Sequence, residues 1–334
     1  MKVVRLIFLI LHLGIFFLLA LMLLNAYVPP KVFPWFNLLS LGFPILIIGY
    51  ILLTIFWIFS WKKRAFLFLF LGLLFFKPII RWVNFSTIRS VDKKNADLKV
   101  LSFNAKGGRF GVKNIESFVN SQNADIVLLQ EYGGNKEYHF DGLTEGERLP
   151  VISIFSKYKI ISQKQLIESD FGYNNAYAVQ TDIEIKGKTY RIINMYLQPF
   201  KFEKSMVKLN GSSEEDEEKV KGIVKRLIPT FKMHQEQIEP IRKSVENSPY
   251  PVILAGDFNS VPNSYEYYHL LDGLQDAFVE TGKGSATSFH DYKFPIRIDY
   301  IFASKSIIPV DYKVDRSVKL SDHFPVMAEF KLER

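Results

Sequence analysis

The chain of 334 residues has room for one large domain and an accessory segment. It holds no cysteine, which excludes disulfide stapling, thiolate metal ligands and a cysteine nucleophile. A formal charge of +8 suits a phosphate-bearing partner or an anionic membrane surface, and basic residues that merely flank apolar segments account for it nearly as well.

The first predicted elements are apolar. Residues 6–28 form a nearly unbroken hydrophobic run, long enough to cross a hydrocarbon layer about 30 Å thick. It lacks a small-residue cleavage site and a second run follows at 38–59, so the segment reads as an anchor rather than a removed signal. A third run, 65–83, is interrupted near its end by Lys77, Pro78 and Arg81, and is expected to cross as well, with Lys77 snorkelling to the interface. All the tryptophans, Trp35, Trp57, Trp61 and Trp82, lie in this region, three of them at span ends where interfacial indoles belong. Lys2 and Arg5 precede the first run; Lys62, Lys63 and Arg64 follow the second; the loop between carries only Lys31. That asymmetry puts the N-terminus and the 62–64 loop in the cytoplasm and everything after the third run outside it, although Arg89, Lys93 and Lys94 pull the other way. His12 has no acidic partner within these runs, so it is expected to face another helix or a headgroup.

Residues 1–83 are thus an anchor of about three helices, 84–97 a polar linker with a reach of at most roughly 45 Å, and 98–334 the soluble domain. Within that domain β-branched and aromatic runs predict strands at 99–102, 126–129, 151–155, 176–185, 190–195, 252–255, 298–302 and 326–331. Helices are predicted at 112–121 and 214–247, the latter opening on an acidic run that suits a helix N-terminus better than a metal site. Strands mixed with helices, several joined by hairpin-length gaps, predict two packed sheets flanked by helices.

Five polar motifs stand at the ends of these strands: Ser102-Phe103-Asn104, Leu129-Gln130-Glu131, Gly256-Asp257-Phe258-Asn259, Arg297-Ile298-Asp299-Tyr300 and Ser321-Asp322-His323-Phe324-Pro325. Each alone has a bland reading. Asn104 fits a turn cap, Glu131 a strand end, and the Asp257 motif a loop; Asp299, inside an apolar strand, needs a buried partner. Together they supply what hydrolysis of a phosphate ester requires. Glu131 and Asp322 offer hard oxygens suited to Mg²⁺ or Mn²⁺, with Asn104 as a neutral oxygen donor. Asp257 can deprotonate or orient a water, with Asn259 holding that water or a phosphate oxygen. His323 can stabilise developing charge or protonate the leaving oxygen, and Asp299 can set its tautomer.

In order and approximate spacing these motifs resemble the endonuclease/exonuclease/phosphatase superfamily, and the resemblance covers essentially all of the soluble part. It implies an α/β fold, a four-layer α/β/β/α sandwich with the site at one edge of the paired sheets, here preceded by a short bundle of transmembrane helices. It also implies Asn104 and Glu131 at the metal with Asp322 near it, Asp257 as general base beside Asn259, and an Asp299–His323 dyad. Two positions depart from the family pattern. Lys106 stands where many members have an acidic residue, which either loosens a metal site or puts a cation on a substrate phosphate. In the strand Asn194-Met195-Tyr196, Tyr196 replaces a phosphate-contacting histidine, and Asn194 is grouped with Lys106 and Arg109 as a substrate-binding candidate. Arg109, after Gly107 and Gly108, either grips a phosphate or sits in a mobile loop.

Fold and catalytic kit do not choose a substrate. Inositol polyphosphate 5-phosphatase motifs are absent. The expectation is a membrane-anchored, metal-dependent phosphoesterase that hydrolyses phosphodiesters and is nuclease-like, with no obligatory protein partner. The alternatives are a phosphodiesterase for lipid head groups, motivated by the anchor, and a catalytically silent module that binds a phosphorylated ligand at the membrane.

Overall fold

A computed structural model of the chain describes residues 2–85, 96–167, 175–202, 211, 213–291 and 295–332. The N-terminal part holds α1 (Lys2–Met22), continued by a 3₁₀ turn over Leu23–Ala26, and α2 (Trp35–Ser60). Among the described residues these are the two helices long and apolar enough to cross a membrane. The third run, expected to cross at 65–83, is not one unbroken helix. It is α3 (Lys62–Gly72), a 3₁₀ turn (Leu73–Phe75) and the short α4 (Phe76–Ile80). Pro78 explains the break, since its ring clashes with the carbonyl four residues earlier, at Leu74, inside the 3₁₀ turn.

Leu19, Met22, Phe43, Ile47, Trp57, Phe68 and Phe75 pack the three segments together. His12 is buried among them, stacked on Phe68 and accepting a hydrogen bond at Nδ1 from Trp57 Nε1 at 3.1 Å. At one end of this bundle Arg5 donates to the Ser60 hydroxyl and carbonyl, and Arg64 lies over Trp61 and Trp57. The opposite end, carrying Asn25, Asn37 and Arg81, meets the rest of the protein.

The remaining strands are β1 (Val83–Asn84), β2 (Leu98–Asn104), β3 (Ile126–Gln130), β4 (Thr144–Glu145), β5 (Ile152–Ser156), β6 (Lys159–Gln165), β7 (Tyr177–Ile185), β8 (Lys188–Tyr196), β9 (Val252–Asp257), β10 (Leu274–Asp276), β11 (Gly284–Ser285), β12 (Asp299–Ser304), β13 (Ile307–Val314) and β14 (Val326–Leu332). They form two six-stranded sheets, in orders β13-β14-β2-β3-β5-β4 and β10-β12-β9-β8-β7-β6. Val100, Ile126 and Leu128 of one sheet meet Ile192, Ile253 and Ile301 of the other between the layers. Helix α5 (Val112–Gln122) covers the outside of the first sheet through Ile115, Phe118 and Val119. Helix α6 (Ser213–Glu246) and α7 (Tyr265–Leu271) cover the second through Ile238, Ile241, Tyr267 and Leu270. The short α8 (Ala277–Thr281) packs at the rim of the sheets. The result is the four-layer α/β/β/α sandwich expected from the sequence.

Four of its strands were not foreseen, the short β4 and β10 and the longer β6 and β13. β6 is polar and largely exposed at a sheet edge, so it lacks the apolar signature of a strand. β13 contains Pro309, which a sheet tolerates only at an edge or an irregularity, and its register indeed shifts between Pro309 and Asp311.

The N-terminal helices dock on this sandwich through buried polar contacts. Asn37, at the start of α2, donates from Nδ2 to both carboxylate oxygens of Glu266 (3.1 and 2.9 Å) and accepts from the Tyr265 amide (2.7 Å). Asn25 donates to the Asn263 carbonyl, and Arg81 donates to Asn263 Oδ1 while lying over the rings of Tyr267 and Tyr268. Asn84 donates to the carbonyls of Phe278 and Val279, and β1 pairs with β11. Of the linker expected at 84–97, residues 86–95 lie outside those described.

Candidate active site

Strands β2 and β3 run parallel, as do β8 and β9, so their C-terminal ends share one edge of the sandwich. Register does the rest. Tyr196 on β8 lies opposite Asp257 on β9, which lies opposite Asp299 on β12, a row of three polar side chains on one face of the sheet. Gly256 must be a glycine: its φ is +140°, and an added Cβ would stand 2.0 Å from the Met195 carbonyl oxygen. Glu131 and Asn259 also occupy the left-handed region, at φ +43° and +46°, as does Lys106 at +46°. Such backbone strain in non-glycine residues clusters where side chains must be aimed at a site.

Asn104 sits between two carboxylates. Its Nδ2 donates to Glu131 Oε1 and to Asp257 Oδ2, each at 3.0 Å, and its Oδ1 accepts from the Lys106 amide at 3.0 Å. It therefore presents its NH₂ group rather than its oxygen to Glu131. Tyr196 donates its hydroxyl to Glu131 Oε1 at 2.9 Å. Burial first, then the charges of Glu131 and Asp257, push the phenol well above its ordinary range and keep it a donor.

Asp257 is fully buried, and its Oδ1 accepts from the Asn259 amide at 2.8 Å. Asn259 in turn donates from Nδ2 to the Leu197 carbonyl at 2.9 Å, so it fixes the loop that holds Asp257. His323 bonds Asp299 Oδ2 through Nδ1 at 2.9 Å and points Nε2 toward Asp257 Oδ2 at 3.8 Å. The Ser288 hydroxyl accepts from the amides of Ile298 and Asp299, and the ring of Phe289 packs edge-on against His323. Desolvation dominates at Asp257 and raises its pKa well above the carboxylate range; His323 opposes the rise and Asp299 adds to it. For His323 burial lowers the pKa, but the charges of Asp299 and Asp257 outweigh it and raise the group above the ordinary imidazole range. Burial and mutual charge thus push both groups toward holding a proton.

Asp322 accepts from Ser321 Oγ at 3.0 Å and forms an ion pair with Lys106, whose ammonium also lies 4.0 Å from Asp291. Burial alone would raise the pKa of Asp322; His323 and Lys106 reverse the effect and hold it low.

Of the residues singled out in the sequence, Glu131, Asp257, Asn259, Asp322, His323 and Lys106 line one cavity of about 820 Å³, and Asn104, Tyr196 and Asp299 hold that lining in place. Two do not join it. Asn194 is a buried pillar between the sheets, donating to the carbonyls of Leu129 and Ser153 and accepting from Gln130. Arg109 is exposed and does not line the cavity. Sequence reasoning missed Ser288, Phe289 and Asp291, which stand in a loop without a strand-end motif. It also missed the far wall of the cavity, built by Leu38, Leu41 and Ile45 of α2 with Ile223, Leu227 and Phe231 of α6. The last three recur at four-residue spacing, a helical stripe that was legible in principle.

The tightest group of ligand-type atoms among the described residues is Asp257, Asp299 and His323, all within 4.8 Å of one another. Glu131 and Asp322 add two carboxylates facing the cavity, a hard-oxygen set that fits Mg²⁺ or Mn²⁺.

The family model for the Endonuclease/Exonuclease/phosphatase family matches residues 101–323. A model for a domain of unknown function matches residues 5–82. No curated protein matches the chain. Among solved structures it is similar to an endonuclease/exonuclease/phosphatase family protein from Leptotrichia buccalis, with 15% identity over 70% of this chain and 100% of that one, at a TM-score of 0.50. It is similar to humanized D. rerio TDP2 with 16% identity, 70% and 98% coverage and a TM-score of 0.50. It is also similar to a mannosyl-6-phosphatase from Bacteroides thetaiotaomicron, with 19% identity, 70% and 100% coverage and a TM-score of 0.50. Likeness at this identity establishes the fold.

Proposed function

The chain belongs to the endonuclease/exonuclease/phosphatase family, hydrolases of phosphate ester bonds, and we propose that it is a membrane-anchored, divalent-metal-dependent phosphodiesterase. The observation that carries this reading is the row Tyr196, Asp257, Asp299 facing His323, with Glu131 and Asp322 beside it.

Asp257 is the general base. Its raised pKa makes it a competent proton acceptor near neutral pH, and Asn104 and Asn259 aim it at the attacking water. His323, oriented by Asp299, presents Nε2 to the charge that develops on the phosphoryl or leaving oxygen. Glu131, positioned by Asn104 and Tyr196, and Asp322 would hold Mg²⁺ or Mn²⁺. The bound cation would neutralise phosphoryl oxygens and lower the pKa of water. Asp257, Asp299 and His323 form the proton-transfer unit, with the His323 ring oriented by its Nδ1 bond to Asp299.

The apolar helices would place the bundle in a membrane. Arg5, Lys62, Lys63 and Arg64 cluster at the end away from the sandwich, so that end is cytoplasmic and the catalytic domain is outside. A reporter fused after Arg334 that is active only in the cytoplasm overturns the orientation. The activity is tested on the full-length protein in detergent with bis(p-nitrophenyl) phosphate, p-nitrophenyl phosphate, Mg²⁺, Mn²⁺ and EDTA. Diester hydrolysis that EDTA stops is expected. Activity on monoesters alone, or without metal, rejects the reading.

A further inference from the structure

We infer that the phosphodiester cleaved here belongs to a lipid, whose phosphate lies against Asp257 and His323 and whose acyl chain fills the cavity between α2 and α6; the inference rests on the phosphodiesterase reading above. One cavity of about 820 Å³ contains both ends of such a molecule's chemistry. Volumes of roughly 300–1,000 Å³ are typical of ligand sites, and apolar walls with a few convergent polar groups are their usual construction. Here the polar groups are the catalytic ones, and the apolar walls come from two helices that the reaction itself does not need.

The anchor is one of those walls. Leu41 of α2 packs against Val261, Phe289 and Ile298, and Phe289 lies edge-on to His323. An apolar span residue is thus one side chain removed from the catalytic imidazole. Ile45 lines the same cavity while remaining 65% exposed, and the exposed Ile48, Leu52 and Phe59 continue from it along α2. The cavity therefore opens beside a surface that only hydrocarbon would cover without cost. A lipid leaving the bilayer along α2 would reach the carboxylates without its chain crossing water.

A nucleic acid fits the same walls poorly. Polyanion recognition needs a track of free cations. Apart from His323, the basic residues among the described lining are Lys106 and Lys201, and Lys106 is paired with Asp322. In the step itself a water oxygen bonds to phosphorus and one P–O ester bond breaks. The departing alkoxide takes a proton, leaving an alcohol and a phosphomonoester.

The test uses full-length protein in mixed micelles with Mg²⁺ or Mn²⁺. The substrates are phosphatidylglycerol, phosphatidylcholine and sphingomyelin of increasing acyl length, DNA, RNA and the soluble bis(p-nitrophenyl) phosphate. Each added methylene should lower the KM for the preferred lipid about three- to fourfold until the cavity is full. Leu227→Trp, which fills the cavity from α6, should lower the ratio of lipid to soluble-diester turnover by about tenfold or more. Ile45→Trp provides the same readout from α2 if the first variant does not fold. Cleavage of the soluble diester with no lipid turnover overturns the inference, as does indifference to chain length, an unchanged ratio in the folded variants, or faster cleavage of DNA or RNA. Absence of any metal-dependent cleavage rejects instead the phosphodiesterase reading on which it stands.

Discussion

The segment that carries Asp257 and Asn259 runs on to Asn263 and Glu266, and so links two buried polar clusters built from the same residue types. At the candidate catalytic end Asp257, Asp299 and His323 lie together, and burial, with the charge of Asp299 added, forces the pKa of Asp257 upward against the pull of His323. At the end that meets the N-terminal helices Glu266 is equally buried, yet its pKa is lowered. Burial alone would raise it, and the hydrogen bond and charge of His234, with help from Asn37, reverse the sign. His234 spans this second cluster, with Nδ1 3.0 Å from Glu266 and 3.1 Å from Ser260 Oγ, and Nε2 2.7 Å from the Gln198 carbonyl. The carboxylate with enough donors stabilises a joint. The carboxylate whose burial outweighs its donors is the one suited to accept a proton.

The sharpest way to separate the two clusters is to neutralise each. Asp257→Asn and His323→Ala should each lose about 10²–10⁴-fold in turnover. Asp257→Asn should keep thermal stability equal to or above that of the parent, since a frustrated charge is removed, whereas His323→Ala strips Asp299 of its buried partner and should melt lower. Steady-state kinetics together with calorimetry in detergent decide the matter; near-parental turnover in a folded variant removes that residue from the mechanism.

Glu266→Ala should do the opposite of Asp257→Asn, destabilising the protein by about 3–5 kcal/mol, the usual cost of breaking a fully buried pair. Because the folded-state pKa of Glu266 is depressed, its contribution is fully present above the ordinary glutamate range near about pH 4.3 and is lost as pH falls through the lower folded value. A melting temperature that falls over that acid window in the parent but not in Glu266→Gln is the expected signature; parallel curves would reject it.

The clusters also differ in how far the sequence reveals them. The candidate catalytic residues were legible because each stands at or near the end of an apolar strand, and strand ends at one sheet edge converge by topology alone. Asp257, Asp299 and Tyr196 needed only the right register. The joint was not legible. Asn25 and Asn37 border long apolar runs, where a polar residue reads equally well as a headgroup contact, and Glu266 lies in a short helix with no distinguishing motif. Nor can a run such as residues 38–45 disclose which of its leucines faces outward and which faces protein, because nearly every position is apolar. Asn194 misled for the converse reason. It lies two residues before Tyr196 on the same strand and so on the same face of the sheet, yet inter-sheet hydrogen bonds consume all its polar atoms.

A smaller change tests whether helix α2 is a working part of the joint. Asn37→Ala leaves Glu266 its histidine but removes two donors and strands the Tyr265 amide, at a cost of about 1–3 kcal/mol. The loss should appear as faster amide exchange in residues 263–267, with the core strands Leu98–Asn104 and Val252–Asp257 still protected. Uniform loosening of the whole sandwich would mean that the contact has no local character.

The least effect is expected at Lys106, which lies on the rim where the catalytic cluster meets solvent. Its ammonium forms an ion pair with Asp322, and the two side chains retain 28% and 12% exposure, so water screens part of the attraction. If Asp322 helps to hold the divalent cation, Lys106 must release it first, and the pair acts as a competitor for that cation. Lys106→Met should then reduce the metal concentration needed for half-maximal activity, and only modestly. Exposed pairs contribute about 0.2–1 kcal/mol, which corresponds to no more than about a fivefold shift. The KM for the diester should stay close to the parental value. A rise in KM with unchanged metal dependence would instead assign Lys106 to a substrate phosphate, and would make the cavity's polar end more cationic toward its ligand than the ion pair suggests.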